Sequence, residues 1–327
     1  MSLPRVLITR RVPEAGLRVL EGKVDMDIFE EDRPISREEL LHRVSGIEGL
    51  YCLLSDRIDG EVIEAAGDQL QIIANYAVGY NNIDVDLATE KGILVTNTPG
   101  ALREATADLT WALLMAVARK IPQSDRFVRE GRYLGWGPKL MLGYPVQGMT
   151  IGIVGMGDIG AAVARRAMGF DMRILYNSRS PKPDIEGEVG AERADMDRLL
   201  RESDFITLHV PLTPETMHLM GERELEMMKE TAVLVNMARG EVIDEKALVS
   251  ALKDGSIGGA GLDVYENEPS LSPGLSDLEN VVLTPHTGSA TFPSRDTMAI
   301  MAAENLLAGL EGRRPKNLVN PSILEGK

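Results

Sequence analysis

A single cysteine, Cys52, is all the thiol that 327 residues provide. That excludes an intrachain disulfide and a thiolate metal cluster, and makes a reducing cytoplasm the natural setting. Cys52 lies in the apolar run LYCLLS, so a buried inert thiol is expected rather than a nucleophile. No apolar run approaches the roughly 18 residues that a membrane span needs. No charged-then-apolar leader marks a secretory signal. Positive charge is in short supply too. With 35 Lys and Arg against 50 Asp and Glu, the formal charge is −15 at pH 7, which argues against nucleic acid or anionic membrane as the main partner. An anionic ligand would need a local basic pocket. The remaining composition, 44% hydrophobic and 26% charged, suits a two-domain globular chain with ample core.

Glycine, in contrast, is placed with purpose. Ile151 to Gly160 reads IGIVGMGDIG, a short apolar run followed by Gly155, Gly157 and Gly160 at G-x-G-x-x-G spacing, leading into the helix-like AAVARRAMGF. Gly155 permits the tight turn, Gly157 lets backbone N–H groups approach a pyrophosphate, and Gly160 lets helix and strand pack closely. The helix N-terminus adds partial positive charge for the phosphates. Between a strand and a helix, this pattern reads as a dinucleotide site.

Apolar strands alternate with helical stretches on both sides of that motif. Arg5–Thr9, Val24–Phe29, Leu50–Ser55, Leu70–Tyr76 and Ile93–Asn97 read as strands before it, with a capping box at Ser36 and Glu39. Thr150–Val154, Arg173–Tyr176, Phe205–Val210, Ala232–Met237, Gly259–Val264 and Val281–Thr284 follow. The expected class is α/β, with two doubly wound parallel-sheet domains and a ligand cleft between them. Leu102 to Ile121 is apolar round most of its circumference and reads as a buried helix crossing into the second domain. The helix from Ser294 to Leu310 is expected to return to the first, giving residues 1–99 plus 292–327 as one domain and 100–291 as the other.

The segment after Arg173–Tyr176 is Asn177-Ser178-Arg179-Ser180. An acid near Asn177 would bond the ribose 2′-hydroxyl of NAD, whereas arginine accommodates the 2′-phosphate of NADP. Arg179 and Lys182 with the serine hydroxyls favour NADP(H), while NAD(H) stays possible. A solvated turn with incidental charge is the alternative reading, and Asp158 adds opposing charge. Three strand ends then carry Arg239, Glu268 and His286. Arginine grips a planar carboxylate with two parallel hydrogen bonds. Histidine, with an ordinary pKa near ~6.5, delivers a proton at neutral pH, and a carboxylate on its other nitrogen fixes the tautomer. Singly, each has a plainer reading: a buried histidine, a strand-end cap, a solvated loop charge beside Glu266. His42 and His218 read as surface residues, and His209 as at most a lining residue of the cofactor site. In the first domain, NYAVGYNNID suggests a turn whose N–H groups could hold a carboxylate, or simply an ordinary β-to-α turn.

Taken in order, NYAVGYNNID, TNTPG, EATADLTWALLMA, GMGDIG, HVPLTPET, NMARGEVID, GLDVYENEP and TPHTGSAT resemble the D-isomer-specific 2-hydroxyacid dehydrogenases over essentially the whole chain. WGPKLMLGYPVQGMTIGIVGMGDIG and ILYNSRS look like the glyoxylate/hydroxypyruvate reductase branch. The resemblance implies a flavodoxin-like substrate domain and a Rossmann coenzyme domain. It implies that Arg239 binds the substrate carboxylate and carbonyl, that His286 donates the proton and that Glu268 is its partner. Backbone at Val78 and Gly79 would hold the carboxylate. Met156, Gly157, Asp158, Ile159, Ser178, Arg179, Ser180, Met237, Ala238, Asp263 and the segment from His286 to Gly288 would touch the nucleotide. The family forms dimers, so a homodimer is implied in which Trp136 reaches the neighbour's active site; an ordinary packing residue is the plainer view of Trp136. Asp158 departs from the arginine the family often has there. No metal is implied. Rival functions are a phosphoglycerate or D-lactate dehydrogenase, and a nucleotide-sensing, corepressor-like binding protein.

Overall fold

The computed structural model describes residues 2–324. Its contacts divide the chain into two units, Met1–Leu102 with Ala290–Lys327, and Arg103–Ser289. Each is a parallel sheet flanked by helices, as the alternation of apolar runs requires.

The first unit holds β1 (Arg5–Ile8), β2 (Asp25–Ile28), β3 (Gly49–Leu53), β4 (Ile72–Tyr76) and β5 (Leu94–Thr96), in the order β2-β1-β3-β4-β5. Val6, Leu7, Ile8, Ile72 and Ile73 are fully buried because both faces of the sheet are covered. The helix Phe292–Leu310 packs on this sheet and on helix Glu14–Leu20 through Met298, Ala299, Ala302 and Leu306. Tyr51, buried in β3, donates its hydroxyl to the Ala299 carbonyl at 3.2 Å. A fully buried side chain of Leu or Phe size contributes roughly 1.5–3 kcal/mol, so this apolar face outweighs the single hydrogen bond in holding the helix. The Ser36–Glu39 capping box is present.

The second unit holds β6 (Thr150–Val154), β7 (Arg173–Asn177), β8 (Glu192–Arg193), β9 (Phe205–Leu208), β10 (Val233–Asn236), β11 (Gly259–Leu262) and β12 (Val281–Leu283). Their order is β12-β11-β10-β9-β6-β7-β8. The chain runs outward from β6 to β8 and then returns to β9 on the other side of β6. That reversal opens a crevice at the carboxyl ends of β6 and β9. β8 escapes a reading of the sequence because it is two charged residues at a sheet edge, with no apolar alternation to mark it.

The apolar helix ends earlier than the expected Ile121. It spans Arg103–Ala118, lies wholly in the second unit and packs on β10, β11 and β12. Trp111 stacks on Phe170 with ring centroids 4.8 Å apart. The helix stops before Ile121 because Lys120 adopts a left-handed φ of 53°, and a separate helix, Ile121–Arg129, begins with Pro122 in its first turn.

Candidate active site

The glycine loop closes β6. Gly155 has a φ of 98°, and a Cβ there would stand 2.6 Å from the His209 carbonyl oxygen. A Cβ on Gly160 would lie 2.1 Å from the Gly155 carbonyl oxygen, so the helix Asp158–Ala167 can sit this close only without one. At Gly157 nothing lies within 4 Å, leaving open space above the loop. Met156 is buried beneath it and Ile159 half-buried, while Asp158 is exposed in the first helical turn, where a negative charge suits the helix dipole. Beside the loop, neither ring nitrogen of His209 has a partner among the described residues, and both are shut off from solvent. Burial pushes its pKa down to about 3, so the ring is neutral at physiological pH.

β7 ends in the segment expected to meet the adenosine ribose. Asn177 donates to the Ala194 carbonyl at 2.9 Å, and the Ser178 hydroxyl to the Ser180 carbonyl at 2.5 Å. Arg179 is exposed.

Arg239, Glu268 and His286 follow three neighbouring strands, β10, β11 and β12. His286 Nδ1 lies 2.9 Å from Glu268 Oε2, although 18 residues separate them in sequence. Burial pushes the Glu268 carboxyl up. The His286 bond and charge, the Tyr265 N–H and Arg239 outweigh it, and hold Glu268 below the ordinary carboxylate value. Desolvation lowers the Arg239 pKa from its ordinary value, opposed by the charges of Glu268 and Glu241. An arginine so placed stays charged, and Glu268 lies within its electrostatic reach. Asn236 organises its turn, donating to the Arg239 carbonyl at 2.8 Å and accepting from Ala238 N–H at 3.0 Å. Met237 is buried alongside. Glu266, the neighbouring acid, pairs instead with His218 at 2.8 Å.

Two supporting groups were not legible as such in the sequence. Asp263, 2% exposed at the end of β11, accepts from Thr287 N–H and Gly288 N–H at 2.7 Å each and from the Thr284 hydroxyl at 2.6 Å. His286 N–H donates to the Asp263 carbonyl at 2.9 Å. Together these hold His286 at a φ of 52°, a left-handed conformation unfavourable for a residue with a side chain. Tyr265 donates its hydroxyl to the Thr284 carbonyl at 2.8 Å, and burial pushes its own pKa up to about 12.

In the first unit, the second such group is Asn75, fully buried at the end of β4, which donates to the Gly79 carbonyl at 2.9 Å. Asn97 donates to the Val78 carbonyl at 2.7 Å, and Thr98 N–H to the Ala77 carbonyl at 2.9 Å. Three successive carbonyls are thereby held by the fold. In planar trans peptides the N–H of Val78, Gly79 and Tyr80 must then each point away from the donor that holds the preceding carbonyl.

Trp136 is 83% exposed and Leu134 98%, in a stretch where Val128, Tyr133 and Leu142 are also exposed. Among the described residues there is no group of His, Cys, Asp and Glu that could hold a metal, and no helix long and apolar enough to cross a membrane.

Residues 111–288 match the NAD-binding domain of the D-isomer-specific 2-hydroxyacid dehydrogenases. The chain is 53% identical over 325 residues to a glyoxylate reductase of Thermococcus onnurineus, covering 98% of this chain and 97% of that one. It resembles the crystal structure of a glyoxylate reductase from Paecilomyes thermophila with a TM-score of 0.87 and 36% identity, covering 98% of this chain and 100% of the other. An NADPH-dependent glyoxylate/hydroxypyruvate reductase from Sinorhizobium meliloti, solved with NADP and malonate, matches with a TM-score of 0.85 and 32% identity over 97% of each chain.

Proposed function

Since the chain belongs to the D-isomer-specific 2-hydroxyacid dehydrogenases, NAD(P)-dependent oxidoreductases, we propose that it reduces small 2-keto acids, glyoxylate to glycolate and hydroxypyruvate to D-glycerate, with NADPH preferred to NADH. The observation that carries this is the His286–Glu268 pair beside a charged Arg239 at adjacent strand ends.

The glycine loop fits a dinucleotide: two glycines are needed for close packing, open space lies above the third, and His209 has orphaned ring nitrogens beside it. When bound, the nicotinamide supplies the hydride. Arg239 binds the substrate carboxylate and orients the carbonyl, with the Val78 and Gly79 N–H groups as further donors to the carboxylate. Glu268 accepts a hydrogen bond from His286 Nδ1–H, so the Nε2 proton is the one that moves to the carbonyl oxygen as negative charge develops there. Met237, Ala238, Asp263 and Gly288 are assigned to the nucleotide, as are the glycine loop and Asn177 to Ser180. The exposed apolar stretch around Leu134 is the surface we assign to a homodimer, with Trp136 entering the partner's site.

NYAVGYNNID carries no Arg or Lys to receive a substrate phosphate, which disfavours phosphoglycerate. Turnover measured across glyoxylate, hydroxypyruvate, pyruvate and phosphohydroxypyruvate tests the assignment. Arg239→Ala should lower kcat/KM for glyoxylate by several orders of magnitude, because one charged bidentate contact acts in both binding and orientation. Near wild-type activity in that variant would sink the role of Arg239.

A further inference from the structure

We propose that Arg193 is a positioning residue for recognition of the cofactor's 2′-phosphate, an inference that rests on the NADPH reading above. Arg193 pairs with Tyr176 across the β7–β8 register, which brings its side chain alongside the segment that follows β7. One nitrogen, Nη2, donates to two successive carbonyls, Ser178 at 3.1 Å and Arg179 at 3.3 Å. The ends of the loop have their own anchors. Asn177 holds the Ala194 carbonyl, and Lys182 N–H donates to the Tyr176 hydroxyl at 2.9 Å, which in turn bonds Glu186. Between those anchors, Arg193 makes the bonds that tie the loop to the neighbouring strand.

The consequence follows from peptide planarity. With the Ser178 and Arg179 carbonyls drawn toward Arg193, the N–H groups of Arg179 and Ser180 face away from it. Both donors are thereby turned to the outer side of the loop, where phosphate oxygens can accept from them. The Arg179 side chain alone is a weaker determinant, because it is exposed and shares its charge with Glu215, whose pKa it helps to lower after the Thr213 bond and the local backbone. A phosphate ester offers oxygens enough for both N–H groups and the guanidinium together, whereas a ribose hydroxyl does not. Arg193 therefore acts on the phosphate through the backbone it orients, and only NADP(H) should register its loss.

The test is fluorescence titration of NADPH and NADH into the full-length protein, without turnover, for wild type, Arg193→Ala and Arg179→Ala. Arg193→Ala is expected to weaken NADPH binding about tenfold, on the scale of one charge-assisted hydrogen bond, with NADH changed less than about twofold. The difference should persist in high salt, where exposed charges beyond about 3 Å are screened at 1 M. A difference that vanishes in salt makes Arg193 a distant charge and overturns the positioning role. So does an equal loss for both cofactors, or no loss, in Arg193→Ala while Arg179→Ala selectively loses NADPH; the cofactor reading then stands. If wild type does not favour NADPH and Arg179→Ala moves neither cofactor, the cofactor reading falls and this inference with it.

Discussion

The two units offer a ligand different things. The turn after β4 presents main-chain N–H groups held by neutral amides, the buried Asn75 and the half-buried Asn97. The strand ends of the second unit present ionisable side chains instead: Arg239, which stays charged, and Glu268, held ionised, with His286 bonded to it. A scaffold of amides has no charge to lose, so its contribution is insensitive to pH across the physiological range. In the second unit Arg239 keeps its charge too, and only the group proposed to deliver the proton changes protonation as it acts. On the proposed roles, binding of a substrate carboxylate and delivery of a proton should be separable by pH, and mutations should sort accordingly.

The largest effect should come from the proton. His286→Asn removes the proposed donor and should lower the reduction rate by about 10²–10⁴, together with the alkaline limb of its pH profile. A variant retaining both rate and limb would place the donor elsewhere. Asn75→Ala tests the other side of the contrast. It releases the Gly79 carbonyl and should raise KM for glyoxylate by about tenfold while leaving the pH limb in place, at a stability cost of about 1–3 kcal/mol for the unsatisfied buried groups. A shifted limb in that variant would collapse the distinction between the two units.

Glu268→Gln sharpens it. Glu268 is held below its ordinary value and is therefore ionised throughout the neutral range, so it presents a charged acceptor to His286 Nδ1 at every working pH. Gln keeps the shape and loses the charge, and the alkaline limb for reduction should move to lower pH; an unmoved profile makes Glu268 a bystander. Smallest is cofactor choice. NADPH should exceed NADH in kcat/KM by about tenfold, or about 1.4 kcal/mol, and a tenfold preference for NADH would mean that Asp158 outweighs Arg179.

Some of this was legible before any coordinates. Apolar runs of strand length, glycines at a fixed spacing and a buried helix are local signals, and they lead to two parallel-sheet α/β domains. The helix end was not legible, because Lys120 closes it with a backbone conformation rather than a residue type that announces a stop. Nor was β8, whose two charged residues are a strand only because β7 lies beside them.

By itself, then, the sequence determined the fold class, the glycine loop and the residue types at the strand ends, since each is written in neighbouring positions. Tertiary structure decided the partners. It brought His286 within 2.9 Å of Glu268 and left Glu266 to His218, turned Asp263 into a clamp on the His286 turn, and fixed the direction of the peptides after β4 and β7. Those outcomes depend on hydrogen bonds between residues that only the packing of distant strands brings within 3 Å or so of one another.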